Sequence, residues 1–384
     1  MHIVLLLLAA ATLLSSIVFG IDLFVGRRST ACLVDVCPGG HGPWPRVSVA
    51  IPARNEQRRI REALQSVLQQ DYPNAEYIVI DDRSTDQTGA ILAEMARQDA
   101  RLHVIPISEL PPGWLGKNYA LCRGAEAASG ELILFADADV IMDRTVLSRA
   151  VTYLRNRQLQ HLAVLPEMRM PGVLLGMFIS AFGIFFSLYA RPWKAKDPKS
   201  KRFVGVGAFN LVDAQAYRAA GTHKAIAMRP DDDIKLGKLL KKNGCRQEMV
   251  FGGGMMHVEW YSSVREMVDG LMKNSFSGVE YSVAAALASG MALLLGTTWP
   301  VLGMLLTRGS TQLLNLGIVL ILLLVTADSN HFHGLPRWYA LGLPLGGILF
   351  TYILWKATLK TLWEGGIRWR GTYYPLALLK ANKV

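Results

Sequence analysis

Arg46-Val47-Ser48-Val49-Ala50-Ile51-Pro52-Ala53-Arg54-Asn55-Glu56 is the stretch that decides the fold class. An alternating apolar strand runs into Pro52, which cannot donate to a ladder and ends it. Polar residues follow, and a helical pattern then runs through Ile60, Ala63, Leu64, Val67 and Leu68. The same order recurs at once. Tyr77-Ile78-Val79-Ile80 reads as a second strand and ends in Asp81-Asp82-Arg83-Ser84-Thr85-Asp86-Gln87-Thr88, before a helix over residues 89–97. A third short strand is Leu102-His103-Val104-Ile105-Pro106, and the apolar run Glu131-Leu132-Ile133-Leu134-Phe135-Ala136 is a fourth. Strand, polar turn and helix in repetition is the pattern of an α/β fold with a mostly parallel sheet and ligands at its carboxyl edge. Four polar strand ends are therefore expected to converge on one crevice.

Two carboxylate clusters stand out, Asp137-Ala138-Asp139 just after the fourth strand and Asp231-Asp232-Asp233 further on. Carboxylates spaced i, i+2 at a strand's end can both reach one hard divalent cation, which usually keeps phosphate oxygens and waters as its other ligands. A strand followed by an Asp-capped turn is the plainer alternative. The second cluster precedes a helical pattern over residues 234–242, so it reads either as a helix N-cap or as a catalytic group.

Composition adds a membrane. The chain has 384 residues, enough for about two domains, and 51% of them are hydrophobic; the mean hydropathy is +0.25. Residues 3–25 hold a single charge, Asp22, and lead directly into Arg27-Arg28. That run is long enough to cross a bilayer and has no convincing small-residue cleavage site after it, so a retained anchor is expected. Apolar stretches at about 282–306, 312–327 and 339–357 follow near the end. The net charge of +11 gathers beside these segments, at Arg27, Arg28, Arg191, Lys194, Lys196, Lys199, Lys201, Arg202, Arg368 and Arg370. This placement fits anionic headgroups on the cytoplasmic side, and excludes the single basic module of a nucleic-acid binder. The four cysteines form no paired framework, as in a reducing compartment, though Cys32 and Cys37 are close enough for a local bridge or metal pair.

The order Ile51-Pro52-Ala53-Arg54-Asn55-Glu56, Asp81-Asp82-Arg83-Ser84-Thr85-Asp86, Asp137-Ala138-Asp139 and Asp232-Asp233-Ile234-Lys235-Leu236 resembles that of family 2 glycosyltransferases, over residues 47–275. Leu110-Pro111-Pro112-Gly113-Trp114-Leu115-Gly116-Lys117 and Gly365-Gly366-Ile367-Arg368-Trp369-Arg370-Gly371-Thr372-Tyr373-Tyr374 resemble the membrane-bound branch associated with hopanoids and carotenoids. The resemblance implies a GT-A fold, a Rossmann-like sheet flanked by helices, in which Pro52, Ala53, Asn55 and Glu56 hold the base and ribose of a sugar nucleotide. It implies that Asp81 or Asp82 accepts from a uracil imide, that Asp137 serves the nucleotide side and the metal, and that Asp139 binds Mg²⁺ or Mn²⁺. Lys117 would then lie near the nucleotide as a point charge; without the motif it reads as an ordinary solvated lysine. Asp233 aligns with the family's general base, with Asp232 where glutamate is frequent. Such a base takes the proton from an acceptor hydroxyl during a single inverting displacement.

Processive polysaccharide synthases of this family carry Gln-x-x-Arg-Trp after the base, whereas this chain reads Glu259-Trp260-Tyr261-Ser262-Ser263-Val264-Arg265-Glu266. Arg265 can still serve the diphosphate, but the following Trp is absent, and the stretch reads equally as an interfacial helix. Transfer of one sugar from a UDP-sugar to a membrane lipid hydroxyl or carboxylate is thus preferred. Processive polysaccharide synthesis and non-catalytic nucleotide-sugar binding are the alternatives. Gly205-Val206-Gly207-Ala208-Phe209-Asn210 resembles the family's glycine-bearing acceptor strand, or is a plain tightly packed strand. The expected plan is an anchor at 1–28, a linker at 29–46, a catalytic domain at 47–258 with an interfacial helix at 173–190, an interfacial helix at 259–278 and a membrane region at 279–384. Arg27-Arg28 places the catalytic domain in the cytoplasm of a multi-pass cell-membrane protein. Three complete C-terminal spans, the preferred count, would put Lys380 and Lys383 on the opposite side. The 312–327 run, short for a span, is the candidate for re-entry.

Overall fold

The computed structural model describes residues 2–39 and 43–384. Met1 of the expected anchor and residues 40–42 of the expected linker lie outside the described residues. The chain divides into two compact units. One comprises Thr30–Glu167, Pro192–Glu259 and Ala377–Val384, and the other Met1–Ser29, Met168–Arg191 and Trp260–Leu376.

The first unit is built on a seven-stranded sheet. In order across it stand Leu102–Ile107, Ala75–Asp82, Val47–Ala53, Leu132–Phe135, Asn210–Asp213, His161–Leu165 and Gln247–Phe251. The first four strands run parallel, Asn210–Asp213 is antiparallel to both of its neighbours, and the last two are parallel to each other. Val47, Val49, Ala50, Ile78, Ile80 and Ile133 are almost wholly buried, as expected of strands covered on both faces by helices. This is the mostly parallel α/β sheet expected from the sequence. The segment before it is bonded in as well: Phe251 N donates to Ala31 O at 3.0 Å, and Cys32 bridges Phe251. Among the described residues the four cysteines are free.

The other unit is helical. Among the described residues five helices are long and apolar enough to cross a membrane: His2–Arg28, Val173–Lys194, Val283–Leu306, Ser310–Phe332 and Arg337–Trp363. Ser310–Phe332 has 23 residues, longer than the 312–327 run suggests. The apolar reading stops at Thr326-Ala327-Asp328 because those residues are polar or small, but the helix continues. Asp328 is paired there with Arg28 at 2.8 Å and Arg27 at 3.7 Å. Val173–Ala190 packs through Leu175 and Phe178 against Met267, Leu271 and Ile353.

Candidate active site

The carboxyl ends of the parallel strands and the turn before Asn210 share one edge of the sheet. Asn55 and Arg83, at the first two strand ends, have φ of 55° and 56°, a left-handed conformation that needs outside support in residues other than glycine. Each loop supplies that support to the other. Thr85 N donates to Asn55 Oδ1 at 2.8 Å, Asn55 N to Ser84 Oγ at 3.1 Å, and Glu56 N to Thr88 Oγ1 at 2.8 Å. Pro52, Asn55 and Glu56 thereby form one lip of the crevice with the 84–88 turn, while Ala53 is buried beneath it.

Asp81 and Asp82 part company. Asp82 is buried and accepts from Arg83 Nε at 2.7 Å and Arg54 at 3.4 Å. Asp81 is half-buried and accepts from Ser84 N at 3.2 Å, leaving it the more open carboxylate. Gly116, which opens the helix Gly116–Ala127, lies so close to Asp82 that a Cβ would collide with its carboxylate.

Lys117 follows it, and its Nζ lies 2.8 Å from Asp137 Oδ1 and 3.4 Å from Asp232 Oδ2. Burial alone would lower the lysine's pKa, but Asp137, Asp232 and Asp233 together outweigh it and hold the ammonium charged above its ordinary range. The two carboxylate clusters, almost a hundred residues apart in sequence, thus meet at one cation. At Asp139 burial first, then Asp137 and Glu56, outweigh the opposing pull of Arg59 and raise the pKa to about 7. Among the described residues no three His, Cys, Asp or Glu side chains are grouped to hold a metal alone. The hard oxygens of Asp139 and Asp137 fit a Mg²⁺- or Mn²⁺-type cation whose other ligands come from phosphate and water.

The second cluster is divided by its contacts. Asp231 stands at the helix N-cap position but makes no side-chain cap; Arg229 takes its carboxylate instead, through two bonds of 3.0 Å, with Lys235 Nζ at 3.5 Å. The helix starts at Asp232, two residues earlier than the 234–242 pattern. Asp233 accepts from Gly207 N at 3.0 Å, and from Ile234 N at 2.7 Å. Burial raises its pKa against the opposing pull of Lys117. Gly205 and Gly237 make this close approach possible, since a Cβ on either would strike the backbone carbonyl of Asp233 or Val204.

Asp137, Gly207, Asp232 and Asp233 therefore line one small cleft with Lys117 and His223. His223 is neutral: burial first, and Lys117 second, lower its pKa to about 3, and its Nδ1 lies 2.6 Å from Tyr217 OH. Arg265 stands exposed in the first turn of Val264–Gly278, in the helical unit. Sequence reasoning missed Arg54, Arg229, Lys235, Asn118 and His223. Lys235 at i+4 from Asp231 was a readable signal, whereas Asn118 bonds carbonyls 108 to 111 residues away, which no local pattern announces.

Residues 48–189 match the sequence model of Glycosyl transferase family 2. Over those residues the chain is similar to family 2 glycosyltransferases. The match includes the first three strand ends and Asp137-Ala138-Asp139 but stops before the 231–233 cluster. The chain is 25% identical over 343 residues, 86% of this chain and 88% of the relative, to the 4,4'-diaponeurosporenoate glycosyltransferase of Staphylococcus aureus strain USA300. The same figures hold for that of strain NCTC 8325 / PS 47. Its fold is similar to that of a mannosyltransferase from Pyrobaculum calidifontis solved in complex with GDP-mannose and Mn²⁺, with a TM-score of 0.59, 19% identity, and coverage of 94% of this chain and 99% of that one. The chain thus has a GT-A fold with apolar helices at and between its sheet-forming segments, and it resembles the carotenoid-associated glycosyltransferases.

Proposed function

We propose that this glycosyltransferase moves one sugar from a nucleotide sugar, a UDP-sugar by preference, to the hydroxyl or carboxylate of a membrane lipid, with inversion at the anomeric carbon. The observation that carries this reading is Lys117, which brings Asp137 and Asp232 to one point and so joins the nucleotide end of the crevice to the base cluster. Pro52, Asn55, Glu56 and the open Asp81 receive the nucleoside, with the buried Ala53 supporting them from beneath, while Asp82 braces Arg54 and Arg83. Asp139, with Asp137, would hold Mg²⁺ or Mn²⁺, which neutralises charge on the diphosphate leaving group when bound. Arg265 is proposed to reach the diphosphate.

Where the acceptor is a hydroxyl, Asp233 takes its proton; a carboxylate acceptor attacks already ionised and needs no base. As the acceptor oxygen forms its bond to the anomeric carbon, the bond from that carbon to the phosphate oxygen breaks and the nucleoside diphosphate leaves. A carboxyl raised in pKa by burial is a stronger base than an exposed one, and the Gly207 N–H keeps it aimed. A lipid acceptor is supported by the apolar helices and by the name of the Staphylococcus relative, which specifies a carboxylate, 4,4'-diaponeurosporenoate. The protein is proposed to lie in the cell membrane with this crevice in the cytoplasm.

The test is transfer of radiolabel from UDP-sugars to an extracted lipid fraction by detergent-solubilised protein, with and without chelator. Label in an organic-soluble product, lost with chelator and in Asp139→Asn, is expected. Label only in a high-mass polymer would replace this reading with polysaccharide synthesis, and donor binding without transfer would make the protein a nucleotide-sugar sensor.

A further inference from the structure

The loop that leads into the base cluster is clamped from two sides. From one side Asn118, fully buried and adjacent to Lys117, donates through Nδ2 to the carbonyls of Ile226 at 2.8 Å, Ala227 at 3.1 Å and Arg229 at 2.9 Å. Leu115 N adds a bond to Ala227 O at 2.9 Å. From the other side comes Asn382, in the Ala377–Val384 segment. Its Oδ1 accepts from Met228 N at 2.9 Å and its Nδ2 donates to Ala225 O at 2.9 Å. Leu379 is wholly buried, and Val384 packs against the core cluster that contains Ile226, Leu236 and Leu239.

We propose that Asn382 is a positioning residue for catalysis, and that Ala377–Val384 is a strap fixing the 225–229 loop, so that Arg229 neutralises Asp231 and leaves Asp232 and Asp233 to face the crevice. Arg229 is 1% exposed and cannot follow a shifted loop without leaving a buried charge pair unmade. The strap returns to the sheet unit after the chain has passed through Trp260–Leu376. The base cluster is therefore completed only when the helical segment has been threaded, which ties catalytic competence to finished membrane assembly. A side-chain amide that both donates and accepts is required here: aspartate keeps only the bond from Met228 N and turns a charge toward Ala225 O.

The inference rests on the functional reading for its kinetic arm, and an activity-independent arm separates the two. In full-length protein, Asn382→Ala is expected to raise hydrogen exchange across residues 225–233 by tenfold or more while exchange in Val47–Ala53 is unchanged, and to lower kcat about tenfold with donor KM held within twofold. Asn382→Asp should fall between Asn382→Ala and the parent protein in both readouts. Parental exchange over 225–233 in Asn382→Ala overturns the strap whatever the enzyme acts on. Looser exchange with unchanged kcat overturns the positioning role. If Asn382→Ala aggregates, Asn382→Asp decides by the same two measurements. If no preparation transfers sugar, the functional reading fails while the exchange arm still tests the strap.

Discussion

Asp232 and Asp233 are neighbours with different duties, and their contacts separate them. Asp232 shares Lys117 with Asp137, whereas Asp233 is held by the Gly207 N–H and carries a raised pKa. Asp233→Asn removes the proposed base but leaves both carboxylates in direct contact with Lys117, so kcat is expected to fall by roughly 10²-fold or more with donor affinity largely retained. Asp232→Asn loosens the ammonium at the nucleotide end and is expected to act mainly by raising donor KM. Isothermal titration with the donor and steady-state kinetics on both variants check this. A dead Asp232→Asn beside an active Asp233→Asn would reverse the two roles. The sequence placed these carboxylates at the site by their order after apolar strands. It did not reveal which would be spent on structure, because Arg54 for Asp82 and Arg229 for Asp231 are chosen by the folded backbone.

Among the elements, the first two strands are stitched at their entry end by a single carboxylate. Glu76 accepts from Ser48 Oγ at 2.5 Å, Ser129 N at 2.8 Å and Arg46 at 2.8 Å, and is 7% exposed. Burial works against the charge, but these bonds prevail and lower its pKa from 4.5 to about 2. A depressed carboxylate pKa stabilises the fold above pH 4.5, and that contribution is lost as pH falls through about 2. Glu76→Gln is expected to cost about 2 kcal/mol at pH 7. The gap from the parent should narrow steadily below pH 4.5, as thermal unfolding in detergent at a series of pH values would measure. A pH-independent gap would mean that packing, not charge, is responsible. The strands themselves were legible because Val47, Val49, Ile78 and Ile80 announce burial on both faces. The contacts of Gly205 and Gly237 were not: a lone glycine gives no sign of the carbonyl it must pass. The 312–327 run misled for the opposite reason, since the charge that ends an apolar stretch, Asp328, is a helix residue neutralised by Arg27 and Arg28.

For the whole molecule the decisive fact is where the chain ends up. Asn382 is bonded to Ala225 and Met228, so the tail belongs to the same compact unit as the crevice. Three helices in Trp260–Leu376 are long and apolar enough to cross, as the preferred count of three C-terminal spans expects; the Asn382 bonds lead us to propose instead an even number of crossings, which keeps Lys380 and Lys383 on the side of the crevice. Packing within the helical unit suggests how such crossings would be arranged. Ser310–Phe332 runs alongside His2–Arg28, with Gly20 facing Val325 and Arg28 paired with Asp328, and it forms a hairpin with Val283–Leu306 where Gly303 faces Asn315. Arg337–Trp363 is the exception. Its Pro344 O accepts from Thr298, Thr351 donates to Gly290 O, and Trp355 donates to Ala286 O. Its helix therefore begins beside Thr298, eight residues before the end of Val283–Leu306, or about 12 Å short of that helix's far end at 1.5 Å per residue. Re-entry is therefore proposed for Leu343–Trp363 and not for 312–327. Val173–Lys194 must likewise return to its starting side, because His161–Leu165 before it and Asn210–Asp213 after it pair in one sheet. In a background without the four native cysteines, Arg308→Cys, in the turn between Val283–Leu306 and Ser310–Phe332, is expected to react with a membrane-impermeant thiol reagent in intact cells. Lys383→Cys should be protected until the membrane is opened. Labelling of both positions would restore three crossings and detach the tail from the catalytic unit.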